Sequence, residues 1–202
     1  MTEKKRRKPT QKRAQATVEA ILEAAFQILE AEGLSNLTTN HIAERAGVSI
    51  GTLYQYFEDR DAILLAIAQK ESDEIRQLVT EIILETPEIS SIRAIVRALI
   101  HGPQGSPETR IALSDVLFRN GGATEMSRQH LALLASLQES ADVQLNLGRE
   151  ATFILTHAAI YLLRAAAAEP ELELDTNILE DEIVYLMESY INNLAMRSTR
   201  TG

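Results

Sequence analysis

Apolar residues recur along this chain at three- and four-residue steps. Val18, Ile21, Leu22, Ala25, Phe26 and Leu29 form a one-sided stripe that predicts a first helix, ended by Gly33 in "AEGL". Two short helices follow. The pair Thr38-Thr39 offers a capping hydroxyl for one whose inward face is Ile42, Ala43 and Ala46, stopped at Gly47. Ser49 caps the next, Ile50 to Phe57, with Leu53 and Phe57 inward. Asp59 caps a long helix of about residues 60–84, whose apolar face is Ile63, Leu64, Ile67, Ile75 and Leu78, continuing toward Leu84.

Beyond it, "TPEISS" and "HGPQGSPE" break the pattern on either side of Ile92 to Ile100. Further helices are predicted over Glu108 to Arg119, Thr124 to Leu145, Arg149 to Ala168 and Thr176 to Arg197. Leu179, Ile183, Leu186, Met187, Tyr190 and Leu194 share one stripe of the last. Strand-like alternation is absent, so the fold class is all-α, with about nine helices.

Composition narrows the classes. There is no cysteine, which excludes disulfides, thiolate metal sites and cysteine nucleophiles, and suits a reducing cytoplasm. The basic start carries no apolar leader, and the run Ala151 to Leu163 is expected to be too short to span a bilayer. A soluble cytoplasmic protein is expected. The net charge is −9, yet "EKKRRKPTQKR" near the start is strongly basic. An acidic body with a basic arm over residues 1–13 suits a nucleic-acid contact confined to one end; a solvated tail is the plainer alternative.

Nine aromatic residues serve the chain, five Tyr and four Phe, and Tyr54, Tyr56 and Phe57 stand almost together. Two short helices joined through Ala46-Gly47-Val48-Ser49 fit a helix-turn-helix, whose second helix enters the DNA major groove. Small Ala43 and Ala46 let the helices cross closely. Phe57 turns inward, leaving Ile50, Gly51, Thr52, Tyr54, Gln55 and Tyr56 outside. Gln55 suits an adenine edge, Thr52 a base or methyl group, and the tyrosine hydroxyls suit phosphates. Arg60 would add a charge-assisted phosphate bond. A purely structural helical corner accounts for the same spacing.

The run "ILEAAFQILEAEGLSNLTTNHIAERAGVSIGTLYQYFEDRDAILLAI" closely resembles the DNA-binding domain of the tetracycline-repressor (TetR) family of bacterial transcriptional regulators, over about Ala14 to Gln69. The resemblance implies a helix-turn-helix DNA-binding domain at 14–60 and a ligand-binding and dimerisation domain at 72–202. It also implies a homodimer that holds a palindromic double-stranded DNA operator until a small-molecule effector binds. Positions matching the family's DNA contacts are Thr39, Ser49, Gly51, Thr52, Tyr54, Gln55, Tyr56 and Arg60. The family often has lysine at the last of these.

The helix Arg149 to Ala168 is apolar on more than one face, which points to a partner chain; burial within one chain is the alternative. Candidate interface residues are Ala158, Leu162, Ala165, Ile183, Met187 and Tyr190. A pocket between the long helix and the helices from Ile92 to Leu163 would be lined by Arg97, His101, Asp115, Phe118, Arg119, Phe153, His157 and Tyr161. Each of these also reads as an ordinary structural or solvent-facing residue. No cofactor, metal site or catalytic residue is expected. A phosphate loop, an H-E-x-x-H spacing and a G-x-S-x-G elbow are absent, and His41, His101, His130 and His157 lack ligand spacing. The rival readings are a helical dimeric enzyme and an adaptor without specific DNA binding.

Overall fold

The computed structural model describes residues 9–85, 91–122, 124–125, 128–129, 132 and 148–198. Among them are eight helices and no strand: α1 (Pro9–Glu32), α2 (Thr39–Arg45), α3 (Ile50–Leu53), α4 (Arg60–Glu85), α5 (Ser91–His101), α6 (Pro107–Arg119), α7 (Arg149–Ala168) and α8 (Thr176–Ser198). Most of the helix expected over Thr124 to Leu145 lies outside the described residues, as does the arm before Pro9.

The chain divides into two compact units. The first is Met1–Lys70 with Glu108–Asn120, and the second is Glu71–Pro107 with Gly121–Gly202. Two boundaries therefore differ from the sequence reading. Residues 9–13, assigned there to the arm, are the opening turns of α1. Proline is well placed as the first helical residue, because its fixed φ is already helical and no N–H is needed there. Helix α6, placed by its position in the chain with the second domain, closes the first unit instead. Its Leu113 and Val116 are buried with Ile21, Ala25, Ile28, Leu37, Ile42, Leu53, Ile63 and Leu64 in one apolar core.

In the second unit, Ile92, Val96 and Ile100 of α5 pack with Leu155 and Ala159 of α7 and with Ile183, Val184, Met187 and Ile191 of α8. At the end of α5, the Gly102 amide donates to the Ala98 carbonyl at 2.8 Å. A Cβ at Gly102 would lie 2.3 Å from that oxygen, so only glycine fits without a shift.

Buried Glu180 of α8 fastens α8 to α5. Its carboxylate receives Arg93 Nη1 at 3.1 Å and Arg97 Nε at 3.2 Å, with His101 Nε2 at 4.0 Å. The three basic groups stand one helical turn apart on α5, and Asp181 takes a second bond from Arg93 at 2.6 Å. Asp181 first, and then Glu180, raise the Arg93 guanidinium further above its ordinary value.

Helix α7 extends the apolar run Ala151 to Leu163 through an alanine tract, and at 20 residues it is long and apolar enough to cross a membrane. That corrects the expectation drawn from the run alone. Ala151, Thr152, Leu155 and Ala159 are nevertheless buried against protein. On α4, Leu78 and Leu84 are exposed while Val79 is buried, so the covered face in the second half of the helix is not the stripe that the periodicity suggested.

Candidate nucleic-acid interface

The local chemistry of the first unit explains why two short helices stop where they do. Gly33 takes φ +78 and its amide closes α1 on Leu29 at 3.0 Å. Thr38 then caps α2 by accepting from the His41 amide at 3.2 Å. At the other end, the Gly47 amide bonds the Glu44 carbonyl at 3.1 Å and the Val48 amide bonds the Ala43 carbonyl at 3.0 Å. This paired reversal is a Schellman stop, and it places Gly47 at φ +67.

A Cβ at Gly47 would meet nothing within 4 Å. The cost of Gly47→Ala is thus conformational alone, about 1–2 kcal/mol for forcing an L-residue into the left-handed region. Thermal unfolding of G47A should show that loss, and an unchanged midpoint would contradict it.

Ser49 caps α3, accepting from the Thr52 amide at 3.0 Å, while its hydroxyl meets the Thr52 hydroxyl at 2.8 Å. Regular helix ends at Leu53 rather than running to Phe57. The Gln55 and Tyr56 amides instead make tighter bonds, to Thr52 at 3.2 Å and Leu53 at 3.0 Å. Asp59 caps α4 through the Ala62 amide at 2.8 Å.

The two faces of this segment separate as the sequence expected. Ile42, Ala43 and Leu53 are buried, with Ala46, Val48 and Phe57 packed against the same core. Ser49, Ile50, Gly51, Tyr54, Gln55 and Tyr56 are exposed, and Thr52 is half-buried. Two features were not read from the sequence. The half-buried Thr39 hydroxyl of α2 lies 3.1 Å from the Tyr54 hydroxyl. Arg60 reaches Asp61 at 3.4 Å and the Leu34 carbonyl at 3.5 Å. Behind this surface, Glu32 at the end of α1 lies 3.7 Å from both His41 and Arg45, tying α2 to α1.

Residues 21–67 match the family model of bacterial regulatory proteins, tetR family. The first unit thus contains a segment of tetR type. Its tetR segment carries the helix-turn-helix just described, and the similarity to curated proteins is partial. An uncharacterized HTH-type transcriptional regulator in the dhlA 5′ region of Xanthobacter autotrophicus is 33% identical over 104 residues, which are 48% of this chain and 50% of that protein. The match thus spans half the length of that relative.

Solved structures share the tetR-type fold more widely. A TetR-family transcriptional regulator from Streptomyces coelicolor superposes with a TM-score of 0.67 at 20% identity, covering 89% of this chain and 98% of that one. The multidrug binding protein EbrR, solved with imidazole, gives 0.61 at 16% identity, covering 91% and 90%.

The residues suggested for a pocket are not brought together within either unit. Asp115, Phe118 and Arg119 lie on α6 in the first, whereas Arg97, His101, Phe153, His157 and Tyr161 lie in the second. Arg97 and His101 are directed at Glu180. Phe153, His157 and Tyr161 stack along α7, with ring centroids 4.0 and 5.8 Å apart, and Phe153 and Tyr161 are exposed.

The suggested interface set also divides. Leu162 and Ala165 are exposed and Ala158 is half-buried. Ile183 and Met187, however, are buried in the chain's own core and Tyr190 packs against it, because this stripe of α8 is the one that faces α5. The exposed apolar residues of the last helix are Ile178, Tyr185, Leu186 and Met196. The sequence reading placed Leu186 on the stripe that proved to be core. The three-residue step from Glu182 to Tyr185 marks the second face of α8, but its mixed polarity hid it.

Proposed function

We propose that this chain is a transcriptional regulator that reads a palindromic operator as a homodimer and lets go when a small molecule occupies its second unit. The observation that carries the reading is the exposed edge from Ser49 to Tyr56. It is rich in hydroxyl and amide side chains and is held over an apolar core by three successive caps. Gly51 leaves room for backbone approach, Gln55 and Thr52 offer base-edge chemistry, and Tyr54, Tyr56 and Arg60 offer phosphate contacts. Repression, a cytoplasmic location and a non-enzymatic role belong to the same proposal, supported by relatives named as transcriptional regulators.

The homodimer is supported by the apolar exposure left on the last two helices: Ile154 and Leu162 on α7, and Ile178, Tyr185 and Leu186 on α8. Two reading heads related by a two-fold axis would then require half-sites about one DNA turn apart, or somewhat more. The effector reading is supported by the likeness to EbrR, a multidrug binding protein.

Selection of random duplex DNA by the purified protein tests the core of the proposal. An enriched inverted repeat is the expected result, and failure to enrich any sequence at low salt would overturn it. Exposed Lys12 and Arg13 on the opening turns of α1 add a further expectation. Deleting residues 1–12 should weaken binding and flatten its salt dependence, by roughly one unit of log–log slope for each phosphate that the arm neutralises. An unchanged slope would assign the arm no part in binding.

A further inference from the structure

Tyr54 and Thr39 both occupy positions that the family resemblance marks as DNA contacts. Their geometry says something different. The two hydroxyl oxygens lie 3.1 Å apart, linking the first residue of α2 to the residue that follows α3. Each hydroxyl carries one proton. A bond between them uses one proton and leaves one for everything else. Either hydroxyl can be the donor; Tyr54, at 53% exposed, is the one more open to a ligand, and Thr39 is partly covered.

We propose that Thr39 is a positioning residue, which donates to the Tyr54 oxygen so that the phenolic proton points outward to a single DNA phosphate oxygen. Resting on the DNA-binding reading above, this assigns the pair one phosphate contact in place of two. The arrangement has a physical advantage. A hydroxyl that accepts a hydrogen bond becomes a stronger donor, and the bond to a charged phosphate is the stronger one to reinforce. It also stiffens the recognition segment, since the tyrosine ring is held from the neighbouring helix.

The test is a double-mutant cycle of Thr39→Val and Tyr54→Phe, each of which removes a hydroxyl while keeping side-chain shape. Binding is measured to a mixed-sequence duplex at low salt, because phosphate contacts do not require the operator. Y54F is expected to weaken binding about tenfold, the size of one charge-assisted hydrogen bond. T39V should weaken it about threefold alone and not at all in the Y54F background, and T39S should bind as the unaltered protein does.

A T39V loss of equal size in both backgrounds would mean that Thr39 touches DNA itself and would overturn the proposal. So would a T39V protein that binds normally, or a T39S protein as weak as T39V. If the unaltered protein binds no duplex at low salt, the DNA-binding reading falls and the pair falls with it. Additive losses in a protein that binds would remove the pair alone.

Discussion

Leu53→Ala is expected to cost the first unit about 2–5 kcal/mol, enough to abolish duplex binding without touching a single contact residue. Leu53 is 0% exposed, sits on the inner side of the α3 turn and packs into the same core as Ile42 and Ile63. Its carbonyl also receives the Tyr56 and Phe57 amides, each at 3.0 Å, so the segment that carries the exposed tyrosines is built around it. Removing the side chain leaves a cavity that the short helices cannot close without moving. Natural domains have only about 5–15 kcal/mol of net stability, so the loss is a large fraction of the whole. Amide exchange is the measurement: α2 and α3 amides should lose protection in L53A, while those of α8 keep theirs. Retained protection in α3 would show that the turn is stabilised from elsewhere.

The second large effect concerns assembly. Tyr185 and Leu186 are 71% and 50% exposed on α8, and neither belongs to the chain's own core. In a homodimer paired through this face, Tyr185→Glu with Leu186→Glu would force like charges into an apolar contact. The doubly substituted protein is expected to sediment as a folded monomer. Its affinity for a two-half-site duplex should fall by about 10²-fold or more, because the gain from linking two reading heads disappears. Ile183→Glu makes the control. That residue is 2% exposed and lies between α8 and α5, so a charge there should unfold the second unit outright. A Y185E/L186E protein that stays dimeric would assign the interface to another surface.

The contrast between Ile183 and Leu186 shows where sequence reading stops. Both lie on an apolar stripe, and periodicity reports only that a stripe will be covered. It does not say whether the cover is another helix of the same chain or a second copy. The same ambiguity applied to Arg97 and His101, which look like binding residues until Glu180, far along the chain, is found to face them. The caps at Thr38, Ser49 and Asp59 and the reversals at Gly33 and Gly47 were legible, because each depends on residues a few positions apart. The two faces of the helix-turn-helix were legible for the same reason. The Thr39 to Tyr54 bond was not, since it joins two helices whose approach is fixed by core packing.

Helix α6 makes the first unit something other than a portable cassette. Its core is completed by Leu113 and Val116, which the chain supplies only after passing through part of the second unit. Cutting after Lys70 would therefore yield a piece with an open flank, and grafting residues 1–70 onto a foreign partner would carry away the reading surface without the helix that seals it. The two units are written into the chain as interleaved clauses, so neither can be edited out whole.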